Sequence, residues 1–298
     1  MTFRSRLNNT NTNEMKKNET GEYLLLIYRK RIASLLANIY KAGCTRDPRI
    51  ILRVRLDLNK IYALFGLFEM IDPNAFKKQA HYLLFKKLLK YAEKIRHVQV
   101  NYLLLDKNDY YTPKNNPFIL WLNKEEINAT HKFLKAIKLF NDEELSETEK
   151  KIEKICYSNS MLKLRSKTDA FIFRKAVAVD TLLSDNIIMD KKLNKVKRHL
   201  KLMSTVCTLV ITVKPKIKLD RIVTALNRTE MMIGDWYDGV ILQEAIGRFL
   251  RLDAPESIEE RNPLTQLRQQ IIDHDQNLVQ HFLPEVKALV RGIIRDNS

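Results

Sequence analysis

Apolar residues recur along most of this chain at spacings of three and four, the period of a helix with one buried face. The stretch KKLNKVKRHLKLM shows it clearly: Leu193, Val196, Leu200 and Met203 fall on one stripe. The same reading predicts helices over 21–42, 47–70, 74–106, 121–141, 145–179, 186–213, 218–252 and 260–296. Breaks are expected at Asp47-Pro48, Asp72-Pro73-Asn74, the loop TPKNNP (112–117), Lys214-Pro215, Asp253-Ala254-Pro255 and Asn262-Pro263. Punctuation around Ser158–Ser160 divides the fifth segment into two helices. Only 7 Gly and 8 Pro interrupt 298 residues, so the expected class is all-α. The polar, Asn/Thr-rich residues 1–20 read as a disordered leader with no apolar stretch of a secretion signal.

The helices pair off in two halves, 21–157 and 158–298. LRVRLDL (52–58) can be laid over VKRHLKL (196–202), which sets Arg53 on Lys197. IGDWYDGVIL (233–242) falls on AEKIRHVQVN (92–101) at nearly the same offset. Two matches in order, between helices of similar length, indicate a duplication of about 140 residues.

Charge sharpens the picture. Lys and Arg number 52 against 35 Asp and Glu, a net of +17 that calls for a polyanionic partner such as nucleic acid, anionic lipid or polyphosphate. The cations form stripes. Arg46, Arg49, Arg53, Asp57 and Lys60 share one face of the second helix; Asp190, Asn194, Lys197, Lys201 and Ser204 repeat the spacing. Each stripe alone reads as a solvated outer face; in both halves together they read as a basic surface where the halves meet. A further strip, Lys87, Lys90, Lys94 and His97, is either an outer face or another wall of that surface. Trp236 and Tyr237 read as packing residues.

Other chemistries find little support. The six histidines form no HExxH and no zinc spacing, so no metal or cofactor is expected. His274 and Asp275 are adjacent and point apart on a helix, and there is no GxGxxG, P-loop or GxSxG. Cys44, Cys156 and Cys207 are far apart, as expected of reduced thiols in a cytoplasmic protein. No stretch reaches 18 apolar residues, so no membrane span is expected.

The arrangement resembles the CHAD family, a helical domain named for its histidines. DPRIILRVRLDLNKIYALF (47–65) and KLNKVKRHLKLMSTV (192–206) look like its two basic helices, and IGDWYDGVIL like its second acidic segment. The resemblance implies two helical bundles of about four long helices each, related by a pseudo-twofold, with a basic groove or cavity between them. It implies non-catalytic binding of inorganic polyphosphate or a related phosphate polyanion, in the cytoplasm and at polyphosphate granules. Site residues expected on this ground are Arg49, Arg53, Lys60, Lys197, Arg198 and Lys201. The chain departs from the pattern where Ile50 and Asn194 stand for the motif histidines, Asp57 for a basic residue, and His97 and Gln99 for acids. A nucleic-acid-binding protein, or a scaffold docking an acidic partner, is the alternative.

Overall fold

The computed structural model describes residues 3–108, 116–159, 161–184, 190–211, 217–252 and 258–296, with side chains for most of these from Gly21 onward. Among the described residues there is no strand. The helices are α1 (Phe3–Thr45), α2 (Pro48–Ile71), the short α3 (Lys78–Tyr82), α4 (Lys86–Lys107), α5 (Pro117–Lys138), α6 (Glu143–Ser158), α7 (Met161–Leu183), α8 (Asp190–Ile211), α9 (Ile217–Leu252) and α10 (Ile258–Arg295). The leader expected over 1–20 lies outside the residues whose side chains are described, as do the breaks at Lys214-Pro215 and Asp253-Ala254-Pro255.

Local chemistry sets the boundaries. Thr45 ends α1, Arg46 takes a left-handed φ of 55°, and Asp47 then caps α2 by accepting from the Arg49 N–H at 2.8 Å, with Pro48 at its first position. Asn116 caps α5 likewise, accepting from Phe118 N–H at 2.9 Å, so that helix begins earlier than its apolar spacing suggested. The split near Ser158 is present, between α6 and α7.

One expected helix is broken. The 74–106 segment opens with a turn in which Asp72 Oδ1 accepts from Asn74 and Ala75, and Phe76 is buried against Phe65, Phe68 and a stacked His81. A 3₁₀ turn at Leu83–Phe85 follows α3 before α4 starts. Its tighter winding lets Tyr82, Phe85 and Leu88, spaced by three, all reach the core. The last helix differs too: it starts at Ile258, with Pro263 inside it rather than opening it.

The packing order recurs along the chain. α1 lies on α2, α2 on α4 and α4 on α5; then α7 lies on α8, α8 on α9 and α9 on α10. One core joins α1–α6, with Phe171, Val206 and Leu209 reaching in from α7 and α8. A second is formed by α7–α10 around Trp236 and Phe282. A third crosses between the halves: Val98 and Leu105 of α4 and Phe118 and Leu122 of α5 pack with Leu242, Phe249 and Leu267 of α9 and α10.

Buried positions give the relation between α2 and α8. Ile51, Val54, Leu58, Ile61 and Leu64 correspond in spacing to Leu193, Val196, Leu200, Met203 and Val206, and all ten are buried. This register is shifted from the one that set Arg53 on Lys197, and it sets Arg55 there instead. For α4 and α9 the sequence register holds: Leu88, Ala92, Ile95 and Leu105 fall on Thr229, Ile233, Trp236 and Ile246, again all buried.

Candidate polyanion cleft

The inner faces of α2, α4, α8 and α9 converge, with α2 against α4 and α8, and α9 against α4 and α8. Apolar stripes anchor each helix, and the positions flanking those stripes carry charge into the junction. α2 contributes Arg55 and Lys60, α4 contributes Glu93, Arg96 and His97, α8 contributes Lys197 and Lys201, and α9 contributes Glu230, Tyr237 and Asp238.

Lys197 is central. Its ammonium lies 3.0 Å from the centroid of the Tyr237 ring, a cation–π contact that keeps the charge over an aromatic face instead of in water. Burial, and then the Lys201 ammonium, pull its pKa down to about 7, despite help from Asp238. Lys201 is lowered in turn by burial and by Arg55. The Arg55 Nε is buried without a hydrogen-bond partner, and burial lowers the pKa of its guanidinium. His97 is driven down to about 4 by burial and by Arg55, Lys197, Arg248 and Arg96, so at neutral pH it is an uncharged imidazole beside the cluster. Its ring lies edge-on to Tyr237 at 6.3 Å.

Three acids share the junction without balancing it. Asp238 pairs with Arg96 at 3.2 Å, and burial still raises its pKa. Glu230 is raised by burial, and one of its carboxylate oxygens is buried without a partner. Glu93 lies within electrostatic range of Arg55, Lys197 and Lys201. The cations are held close at a cost in desolvation that a multivalent anion would offset.

The expected site residues are divided by the fold. Lys197 and Lys201 meet at the centre. Lys60 stands at the edge, lowered by burial and by Arg31 of α1, and within range of Lys201. Arg198 is exposed, near enough to Tyr237 to influence its hydroxyl. Arg49 and Arg53 are exposed on α2. Asp57, on the same stripe, turns toward α1, where it is buried and accepts from Ser34 at 2.8 Å and Asn38 at 2.9 Å. Of the Lys87–His97 strip, His97 reaches the charged junction, while Lys87, Lys90 and Lys94 are exposed.

Arg55 and Arg96 are the residues that reading the sequence by charge stripes passed over. The signal for Arg55 was present: aligning the apolar positions of α2 and α8, rather than their charged ones, sets it on Lys197. Trp236 is a core residue, as its spacing implied, but Tyr237 carries the Lys197 ammonium. His274 is exposed and Asp275 buried, so the two do not act together. Among the described residues, no three metal-ligating side chains are grouped to hold an ion, and no helix is long and apolar enough to cross a membrane.

No family model matches the chain, and no curated protein matches it. Among solved structures it is similar to the CHAD domain from the plant Ricinus communis, with a TM-score of 0.67 over 91% of this chain and 91% of that chain, at 12% identity. At this identity the likeness speaks to the fold. The chain has the fold of a CHAD domain, in a divergent form.

Proposed function

We propose that the protein binds inorganic polyphosphate, or a closely related phosphate polyanion, in the cleft between α2, α4, α8 and α9. The observation that carries this reading is the convergence of Arg55, Lys197 and Lys201 from opposite halves, with Lys197 brought to a pKa of about 7. Cations that crowd and desolvate each other gain most from a ligand that brings several negative charges at once. Arg55 offers a planar fork for phosphate oxygens, while the two lysines act as point charges. We read it as a binding module without a reaction of its own, acting in the cytoplasm with its polyphosphate.

Calorimetric titration with long-chain polyphosphate near physiological salt tests this, with a DNA duplex of matched charge as competitor. Saturable binding that DNA does not displace, lost in Lys197→Ala/Lys201→Ala, is expected. Equal displacement by DNA would assign the surface to nucleic acid. Binding unaffected by the double variant would remove the cleft from the account.

A further inference from the structure

α8 carries a lysine and an imidazole on a second face. Lys195 and His199 are one turn apart, on a side of α8 other than that of Lys197 and Lys201. His199 lies within electrostatic range of Lys175 on α7, Lys195, and Lys78 at the start of α3. Its Nδ1 is buried and has no hydrogen-bond partner in the protein. The lysines are placed by aromatic rings: Lys78 Nζ is 3.4 Å from the Tyr62 centroid, and Lys175 Nζ is 5.3 Å from that of Phe171. These two cation–ring pairs abut across the α2 backbone at Gly66. A β-carbon there would stand 3.6 Å from both Lys78 Nζ and Phe171. One acid belongs to the group. Glu69 accepts from the Lys78 backbone N–H at 3.1 Å and partly supports the charge on Lys175, whose pKa is nonetheless lowered by burial and by Lys78.

The equivalent place in the first half is complete in itself. The register fixed by the buried positions sets Asp57 on His199 and Arg53 on Lys195. Across the α1–α2 contact, Asp57 supplies a carboxylate that Ser34 and Asn38 donate to, with Arg31 at 3.9 Å. Across the α7–α8 contact, the same position carries an imidazole among cations. In the first half the carboxylate at this place comes from α2 itself; in the second, Glu69 of α2 supports Lys175, and the His199 Nδ1 is left without a partner.

We infer that the junction of α2, α3, α7 and α8 is a second oxyanion site, which takes a single phosphate group on Lys78, Lys175 and Lys195, with His199 donating from Nδ1–H. The site is separate from the cleft and stands or falls independently of it. Three ammonium groups and one N–H donor suit the tetrahedral oxygens of a phosphate, and Tyr62 and Phe171 hold two of the lysines without neutralising them. The phosphate is supplied either free in solution or as a unit of a bound chain.

The imidazole resonances of the full-length protein, followed by NMR across a pH series, test the site directly. Inorganic phosphate is added at constant ionic strength in one arm and long-chain polyphosphate in another, each in wild type and in Lys197→Ala/Lys201→Ala. A saturable shift of the His199 signals, with its pKa raised by about half a unit or more, is expected in both proteins, because a nearby anion favours the imidazolium. A shift with phosphate identifies the free ion as sufficient; a shift with polyphosphate alone identifies a chain unit. Lys175→Gln should abolish the response while the His97 signals stay as in wild type. No movement of His199 in the wild type, the same movement with chloride, or loss of the response in the cleft variant would overturn the proposal.

Discussion

Lys197 is the residue whose chemistry is most displaced from its ordinary state, and the displacement has a sign. Its pKa in the folded protein is about 7, below that of a lysine in an unfolded chain, because burial penalises the ammonium. Between those two values the unfolded chain binds more protons, so this group's contribution to stability rises with pH from about 7 upward and is least favourable below 7. Lys197→Met should therefore stabilise the protein at pH 6 by about 1 kcal/mol or somewhat more, seen as a higher thermal midpoint, with the gain fading by pH 10. Ligand binding runs the other way. A polyanion restores the charge, so affinity should fall as pH rises through 7, and calorimetry in buffers of different ionisation enthalpy should register proton uptake near pH 8. Asp275 is the opposite case. Burial lifts its carboxyl to about 7 although Gln243 donates to it at 2.6 Å, so its burden on stability grows as pH rises from the ordinary carboxylate range to 7. Asp275→Asn should stabilise the protein at pH 8 and have little effect at pH 4, as read by chemical denaturation. Gly239 leaves room for that carboxyl, and a methyl group there would collide with it. Gly239→Ala should cost about 2 kcal/mol or more, measured the same way.

At the scale of the element, α2 shows how a stripe of like charges can mislead. Arg49, Arg53, Asp57 and Lys60 share a helical face in the sequence, and that face is divided among solvent, α1 and the edge of the charged junction. Arg55, on another side of the helix, reaches the charged junction of α2, α4, α8 and α9. Arg55→Ala should weaken polyphosphate binding severalfold and reduce the slope of log affinity against log salt by roughly one, whereas Arg53→Ala should leave both nearly unchanged. Helix positions and most ends were legible, because apolar spacing and Asp-Pro or Asn-Pro caps act locally. The 3₁₀ turn at Leu83–Phe85 was not, since three-residue spacing of Tyr82, Phe85 and Leu88 also fits an α-helical face and only packing decides the winding. In the candidate site, Lys197 and Lys201 were legible because they flank the buried stripe of α8. Arg55 and Arg96 depend on how two helices distant in sequence approach each other, which periodicity does not encode.

For the whole molecule, the decisive feature is that the third core belongs to neither half. Val98, Leu105, Phe118 and Leu122 are covered by residues of α9 and α10, so each half alone would leave a broad apolar face in water. Residues 1–159 and 160–298 expressed separately should be poorly soluble or loosely packed, and should recover native circular dichroism when combined. The intact chain should unfold in one transition. Independent, reversible folding of either piece would contradict a shared core. The same core holds α4 and α9 in register, which keeps Arg96 on Asp238 and the cleft cations within reach of one another.

The aromatic ring beneath Lys197 has an optical consequence. Trp236 lies 6.2 Å from Tyr237, centroid to centroid, and the guanidinium of Arg248 sits 5.4 Å from the ring of Trp121. With 2 tryptophans in the chain, each indole has a cation or a cation-bearing ring for a neighbour. Drawing Lys197 from its ring toward a phosphate would change the field at Trp236, and with it the wavelength and intensity of emission. A Trp121→Phe variant would isolate that signal, so occupancy of the cleft could be followed by intrinsic fluorescence, with no dye attached to ligand or protein.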